Sequence, residues 1–309
     1  MKTSVALCTY NGEKFLGQQI DSILNQTKKV DEIVVCDDGS TDATVTILHA
    51  YQERHPDLFK IYINEKNLRS VKNFEKAISL CRNEIIFLSD QDDVWLPEKV
   101  AEYCSFFEQN PQISVLCSNG FAIDEENKIL NKLSVWEVPE ILKNHGYEPN
   151  LFEITAFIRN IATGATMAFR KNFVGEIMPF PVIMDFHHDE WIALVSSFQK
   201  KFHLLSKKYI QYRVHENQMV GGVFLDPNKK SKEYLQDFFS FNMANGNFKT
   251  YRKLLRSLSN SIVKFSSLKN NSPIQQELIS QSYLLAHEKY RDLKKRVKEE
   301  FPIQSIFLK

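Results

Sequence analysis

The chain has 309 residues, 43% hydrophobic and 25% charged, with a formal net charge of +1. This composition is that of a soluble globular protein with apolar material for a sizeable core. No apolar run approaches the roughly 18 residues that cross a bilayer, and no basic groove interleaved with aromatics points to nucleic acid, so no nucleic-acid partner is expected.

Ser4–Leu7 reads as a short apolar strand, and Leu16, Ile20, Ile23 and Leu24 recur at helical spacing within Glu13 to Gln26. Glu32–Cys36 is a β-branched run typical of a buried strand. Asp37-Asp38-Gly39 makes a turn, and Ser40 or Thr41 can cap a helix carrying Val45, Ile47, Leu48 and Tyr51. A strand over Lys60–Ile63, a helix over Val71–Cys81 and a strand over Glu84–Leu88 follow. Leu96-Pro97-Glu98 then opens a helix, and Ile113–Cys117 is a strand. Strands alternating with helices at this pace predict βαβ units and a mostly parallel sheet. The rhythm then changes. Residues 119–160 read as irregular, Ala162–Phe169 as one more sheet strand, Asp189–Phe198 as an amphipathic helix and Tyr209–Val214 as a strand. Beyond about residue 225 the pattern is helical and charged. The expected division is therefore a catalytic unit at 1–225, with halves of about 1–118 and 119–225, and a helical basic extension at 226–309.

Four of the predicted strand ends run straight into polar clusters: Cys8–Gly12, Asp37–Ser40, Asn64–Asn67 and Asp90–Asp93. Ligands of open parallel α/β sheets bind outside the carboxyl ends of the strands. Asp90-Gln91-Asp92 puts two carboxylates one residue apart at such an end, where one can meet a ribose and the other a hard cation shared with phosphates. A solvated acidic turn would give the same three letters. Asp38 can accept from a pyrimidine N3–H, although Asp-Gly is also a common turn. Thr9, Tyr10 and Asn11 sit at the neighbouring strand end, able to cradle a base. His187-His188-Asp189-Glu190-Trp191 opens a helix, where one acid is either a cap or a general base for an acceptor hydroxyl. Arg213 and His215 follow a strand from which either can reach a diphosphate. Glycine fingerprints of Rossmann and Walker type are absent.

The strings CTYNGEKF, DDGSTD, DQDDVW, TGATMAFRK, HDEW and YRVHENQ stand in this order over about residues 3–222. They resemble glycosyltransferase family 2, and DQDDVW with HDEW and YRVH is most similar to its bacterial rhamnosyltransferase-like branch. The resemblance implies an α/β GT-A fold: a mixed, mostly parallel sheet flanked by helices, here with a C-terminal helical extension. It implies an inverting, metal-dependent transfer from a nucleoside-diphosphate sugar, a dTDP- or UDP-sugar and in that branch dTDP-rhamnose. The acceptor would be a glycan or lipid-linked acceptor in bacterial cell-surface polysaccharide synthesis. Carried over by residue, Thr9, Tyr10 and Asp38 contact the base, with Asn11, Lys72 and Arg213 also on the donor side. Asp90 binds the ribose, Asp92 holds Mg²⁺ or Mn²⁺, and His215 lies by the diphosphate and metal. Asp189 is the general base with Glu190 its rival, and Gly164 and Trp191 lie on the acceptor side. Where many relatives have an N-x-G stretch, this chain has Asn67-Leu68-Arg69-Ser70, which puts the shape of that loop in question.

From Lys249 to Lys309 there are 13 Lys and Arg against 5 Asp and Glu, a balance of +8 on an otherwise acidic chain. Within residues 249–269, basic residues interleave with Leu254, Leu255, Leu258, Ile262, Val263 and Phe265. That pattern fits a helix packed on the catalytic unit or one lying on an anionic membrane. Five scattered cysteines without a paired motif are expected to be free thiols in a reducing cytoplasm. With no signal peptide read at Met1, the expected place is the cytoplasm or the inner face of the plasma membrane. Two rival functions are a sugar-phosphate nucleotidyltransferase, which would want a glycine-rich basic first loop, and a silent relative that binds sugar nucleotides or scaffolds a synthase.

Overall fold

The computed structural model describes residues 1–183, 186–215, 223–241, 247–268 and 273–307. Glu216, Asn217 and Gln218 of the YRVHENQ string, and Lys269 at the end of the basic stretch, lie outside them. The first half alternates as the periodicity predicts. It runs β1 (Thr3–Thr9), α1 (Leu16–Leu24), β2 (Glu32–Asp37), α2 (Thr44–Arg54), β3 (Phe59–Ile63), α3 (Arg69–Leu80) and β4 (Ile85–Ser89). Then come the two-residue β5 (Val94–Trp95), α4 (Lys99–Gln109) and β6 (Val115–Ile123). Strands β1, β2 and β4 are buried along their whole length, so their sequences are continuous apolar runs rather than alternating ones.

Residues 119–160 are not irregular. They hold the end of β6, short β7 (Ile129–Leu130) and β8 (Leu133–Ser134), α5 (Val138–Asn144), α6 (Leu151–Glu153) and a π-turn at Ile154–Ile158. The strand expected over Ala162–Phe169 shrinks to β9 (Ala168–Arg170), because Gly164–Thr166 forms a 3₁₀ turn first. After α7 (Val174–Ile177) and α8 (His188–Phe198), the last long strand β10 (Phe202–Arg213) begins seven residues earlier than its apolar end suggests.

The main sheet has the order β3-β2-β1-β4-β9-β6-β10-β5, with β7 on β6. Strands β1 to β4 pair in parallel, β9 runs antiparallel between β4 and β6, and β10 is parallel to β6. The carboxyl ends of β1, β2, β4, β6 and β10 therefore share one edge. β5 pairs antiparallel with β10 (Ile210 opposite Trp95), which folds the segment after Asp90 against residues 211–215.

The helical remainder is α9 (Lys229–Asp237), α10 (Phe248–Ser267) and α11 (Pro273–Glu300), preceded by β11 (Phe224–Leu225) on β8. Tyr251, Leu254, Leu255, Leu258 and Phe265 of α10 are buried in the same hydrophobic core as the sheet. Phe265 meets the Phe157 ring edge-on, and Ser261 Oγ donates to the Ala156 carbonyl (2.8 Å). The apolar face that a membrane-lying helix would need is thus covered by protein, while Lys249, Arg252, Lys253 and Arg256 remain exposed. Among the described residues no helix is long and apolar enough to cross a membrane. All five cysteines are free and buried.

Candidate active site

At the β1 and β2 ends, much of the polar cluster builds the crevice itself. Asp37, fully buried, accepts from Thr9 Oγ1 (2.7 Å), from Ser40 Oγ (2.6 Å) and from the Gly39 and Ser40 amides. Thr9 is thereby removed as a side-chain contact for a base: its hydroxyl faces Asp37, and its carbonyl accepts from Asp38 N (2.8 Å). Asp38 accepts from Asn64 Nδ2 (2.8 Å) and from the Leu68 and Arg69 amides (2.7 and 2.8 Å). These bonds set the loop whose shape the missing glycine left open. Arg69 takes the left-handed conformation itself, at φ 63°. That region costs a non-glycine residue roughly 1–2 kcal/mol, against roughly 0.5–1 kcal/mol of extra chain entropy for glycine. Arg69→Gly should therefore leave the melting temperature unchanged or raise it by about a degree or two; a clear fall in a thermal melt would show that the Arg69 side chain itself holds the loop.

Tyr10, half exposed, and Asn11, at φ 48°, remain at the mouth of the crevice. Gln91, the middle letter of Asp90-Gln91-Asp92, carries a role the sequence reading missed. Its amide accepts from Tyr10 N (2.7 Å) and donates to Tyr10 O (3.0 Å), clamping the β1 end to the β4 end. A Cβ on Gly12 would collide with that amide, so the close approach requires the glycine. Lys72 turns to Glu75 (2.7 and 2.9 Å) and the Phe180 carbonyl (3.3 Å), tying α3 to the segment before α8.

Asp90, Asp92 and Asp93 follow β4. Burial, then Asp92 and Asp189, pushes Asp90 up to about 7. Asp92 Oδ2 lies 3.0 Å from His215 Nε2, brought there by the β5–β10 pairing across 123 residues. Two neighbouring ligands of an octahedral cation, at about 2.1 Å each, stand about 3 Å apart. An oxygen and an imidazole nitrogen at that separation, beside a second carboxylate, fit a divalent cation completed by phosphate oxygens. Among the described residues no group of three or more His, Cys, Asp or Glu forms a cage of protein ligands alone.

Asp93 was read only as part of the string, and it is the buried member, 2% exposed. One oxygen accepts from Arg213 N (2.9 Å), and among the described residues Oδ2 has no hydrogen-bond partner. Burial, then Asp92 and Asp90, raises its pKa well above the usual range. Beneath lies Lys99, fully buried, its ammonium on the Ala165 carbonyl (2.8 Å) and 3.9 Å from the Trp95 ring centroid; burial lowers it to about 7.

Arg213 does not point at a diphosphate. Its guanidinium donates to the carbonyls of Asp92 (2.7 Å), Asp124 (2.8 Å) and Glu125 (3.3 Å), to Gln18 Oε1 (2.9 Å) and to Asn127 Oδ1 (2.7 Å). The five N–H groups of an arginine are thereby occupied in holding the acidic loop. Its 0% exposure and its stack over Phe15 (4.3 Å) agree with a structural role.

Across the crevice, β9 runs antiparallel, so the turn before it lies at the same edge. Gly164 N donates to Asp189 Oδ2 (3.1 Å), Glu190 N to Oδ1 (2.6 Å), and Asn160 Nδ2 approaches Oδ1 at 3.5 Å. Asp189 is not the cap of α8; His187 is. Burial pushes Asp189 up to about 6, with the Gly164 amide opposing. A Cβ on Gly164 would meet His188 Nε2 at 2.9 Å. His188 stacks on Phe74 (4.1 Å), neither ring nitrogen has a partner among the described residues, and burial lowers it to about 3, as for a neutral core histidine. Trp191 is a core anchor rather than an acceptor platform, being 1% exposed with its indole N–H on the Ile177 carbonyl (2.7 Å). Glu190 pairs with Lys264 of α10 at 2.8 Å.

This sheet, with acids gathered at one carboxyl edge and helices on its faces, is the GT-A architecture. Solved structures of S. aureus TarS residues 1–349 with UDP-GlcNAc (TM-score 0.56, 18% identity, 97% of this chain and 92% of that one) and of the Pyrobaculum calidifontis mannosyltransferase PcManGT with GDP-Man and Mn²⁺ (TM-score 0.54, 15% identity, 99% and 78%) share it. The profile of Glycosyl transferase family 2 matches residues 4–178, and the chain belongs to that family. An uncharacterized glycosyltransferase of Nostoc sp. is 28% identical over 70% of the chain, a match spanning 65% of that relative's length, just under two thirds. One of Methanocaldococcus jannaschii is 27% identical over 75% of the chain and 76% of its own length.

Proposed function

We propose that the chain transfers a sugar, with inversion, from a nucleoside-diphosphate donor to a hydroxyl of a glycan or lipid-linked acceptor. The reading rests above all on the convergence of Asp90, Asp92 with His215, and Asp189 at one edge of the sheet. TarS with UDP-GlcNAc and PcManGT with GDP-Man and Mn²⁺ support a nucleotide-sugar donor and a divalent cation for the same fold. A dTDP- or UDP-sugar is favoured, with rhamnose and a role in bacterial surface polysaccharide resting on the motif resemblance alone.

In this reading Tyr10 and the Asp38-ordered loop flank the base, and Asp90 binds the ribose. Asp92 and His215 would hold Mg²⁺ or Mn²⁺, which supplies counter-charge to the departing diphosphate. Asp189, raised by burial yet ionised at pH 7, takes the acceptor proton as the hydroxyl attacks the anomeric carbon opposite the leaving group. One displacement inverts that centre. Asp92→Asn should weaken counter-charge stabilisation worth several kcal/mol and lower kcat at least about a hundredfold. Mn²⁺-dependent thermal stabilisation by donor should disappear with it. Full metal-dependent turnover in that variant would remove Asp92 from the metal.

A further inference from the structure

We propose that Lys264, contributed by helix α10 of the C-terminal extension, is a positioning residue of the transfer site: it holds Glu190 in an ion pair and leaves Asp189 as the acceptor-side carboxylate outside that pair. The proposal rests on the transferase reading above and adds the C-terminal extension to the working site.

The pair closes across 74 residues at 2.8 Å, with the two side chains 17% and 15% exposed, so it is more enclosed than a surface ion pair. The Lys264 ammonium also lies 5.4 Å from the Phe186 ring centroid and 5.2 Å from that of Phe265, and among the described residues Glu190 is its one anionic partner. One turn earlier, Ser261 fastens α10 to the Ala156 carbonyl, within the π-turn that leads to Asn160 and Gly164, both partners of Asp189. α10 is thus pinned to both segments that shape the acceptor side. Glu190 and Asp189 are adjacent acids in the first turn of α8, and the Glu190 charge raises the proton affinity of Asp189. A cation fixed on Glu190 offsets that repulsion and turns the longer acid away from the acceptor proton. The other titratable groups facing Asp189 are His187 on its own helix, Asp90 at the end of β4, Cys117 in β6 and Tyr212 in β10, and none of them is a cation fixed on Glu190.

The test compares full-length wild type with Lys264→Met, Lys264→Arg, Glu190→Gln and the Lys264→Met/Glu190→Gln double variant. Sugar transfer is read against pH at saturating donor, and melting temperature on the unliganded proteins. Lys264→Met should lower kcat about tenfold and shift the acid limb upward by about half a pH unit, roughly a threefold rate loss below the limb. Donor KM should stay unchanged. Lys264→Arg should restore the rate, and adding Glu190→Gln to Lys264→Met should return the limb to its original position. Wild-type kcat and pH limb in Lys264→Met would overturn the proposal, as would a shift that Glu190→Gln does not reverse. Absence of transfer by wild type with any donor defeats the transferase reading instead; the melting cycle then decides the pairing, a non-additive double variant supporting it and strict additivity overturning it.

Discussion

Asp189→Asn is expected to lower kcat by about a hundredfold to ten-thousandfold, the range lost with a general base, while donor affinity stays at the wild-type value. Asparagine keeps the volume of the side chain, and its single carbonyl oxygen can still accept from one of the Gly164 and Glu190 amides that now hold the carboxylate. What it cannot do is take a proton. The wild-type profile of kcat/KM should rise through an acid limb near pH 6, because burial lifts Asp189 to about 6 and only its ionised form is a base. That limb should vanish in the variant. Stability runs the other way. A carboxyl whose folded value is raised above its unfolded 3.8 loses folding free energy as pH climbs from about 4 through about 6, since the folded state binds the proton more tightly. Asp189→Asn should accordingly melt at or above wild type at pH 7. Loss of donor binding in the variant, with transfer and binding falling together, would place Asp189 on the donor instead.

The second large effect is structural. Arg213→Met should destabilise the protein by roughly 3–5 kcal/mol, the range for removing one partner of a buried ionic network. The substitution strips donors from the carbonyls of Asp92, Asp124 and Glu125 and from Gln18 and Asn127. It also removes a cation whose charge faces Asp93, an acid whose second oxygen has no hydrogen-bond partner among the described residues. Unpaired buried acceptors and charge outweigh the apolar contact that methionine keeps over Phe15. Arg213→Lys should rescue little, because an ammonium has three donors on a flexible stem where a planar fork of five is matched. A thermal melt and a urea titration would measure both, with a midpoint roughly 10 °C lower expected for Arg213→Met. A melt within a degree of wild type would show that the acidic loop does not depend on this residue.

The alternating half of the fold was legible because β1, β2 and β4 are buried on both faces and so read as unbroken apolar runs, while α1 and α3 between them are clearly amphipathic. Residues 119–160 were opaque for the opposite reason. Their elements are two to seven residues long, too short for a period to register, and they are held by packing on other elements, β7 on β6, α5 on α9, α6 on α8 and the π-turn on α8 and α10. The start of β10 was missed because Leu205–Ile210 carries two register shifts and the strand before Tyr209 is part-exposed, which breaks the alternation. At the site, positions were legible and jobs were not. Thr9, Arg213 and Trp191 stand where the strand ends and the α8 motif put them, but their polar atoms face inward onto Asp37, the acidic loop and Ile177. A linear string does not say which way a side chain at a strand end turns. Asp93 carried a weak sign, an acid set directly against the apolar Val94-Trp95. The Glu190–Lys264 pair had none beyond a lysine between Val263 and Phe265, because its partners meet only through the packing of α10 on the π-turn.

In the proposed function, the acidic edge of the sheet binds a nucleoside-diphosphate sugar and activates it for transfer. The most direct measurement incubates purified protein with a panel of dTDP-, UDP- and GDP-sugars and Mn²⁺ or Mg²⁺, following nucleoside diphosphate release and thermal shift. One donor should give stabilisation and release that EDTA abolishes and Asp92→Asn lacks. Equal, EDTA-insensitive behaviour across the panel, or no response to any donor, would contradict the account.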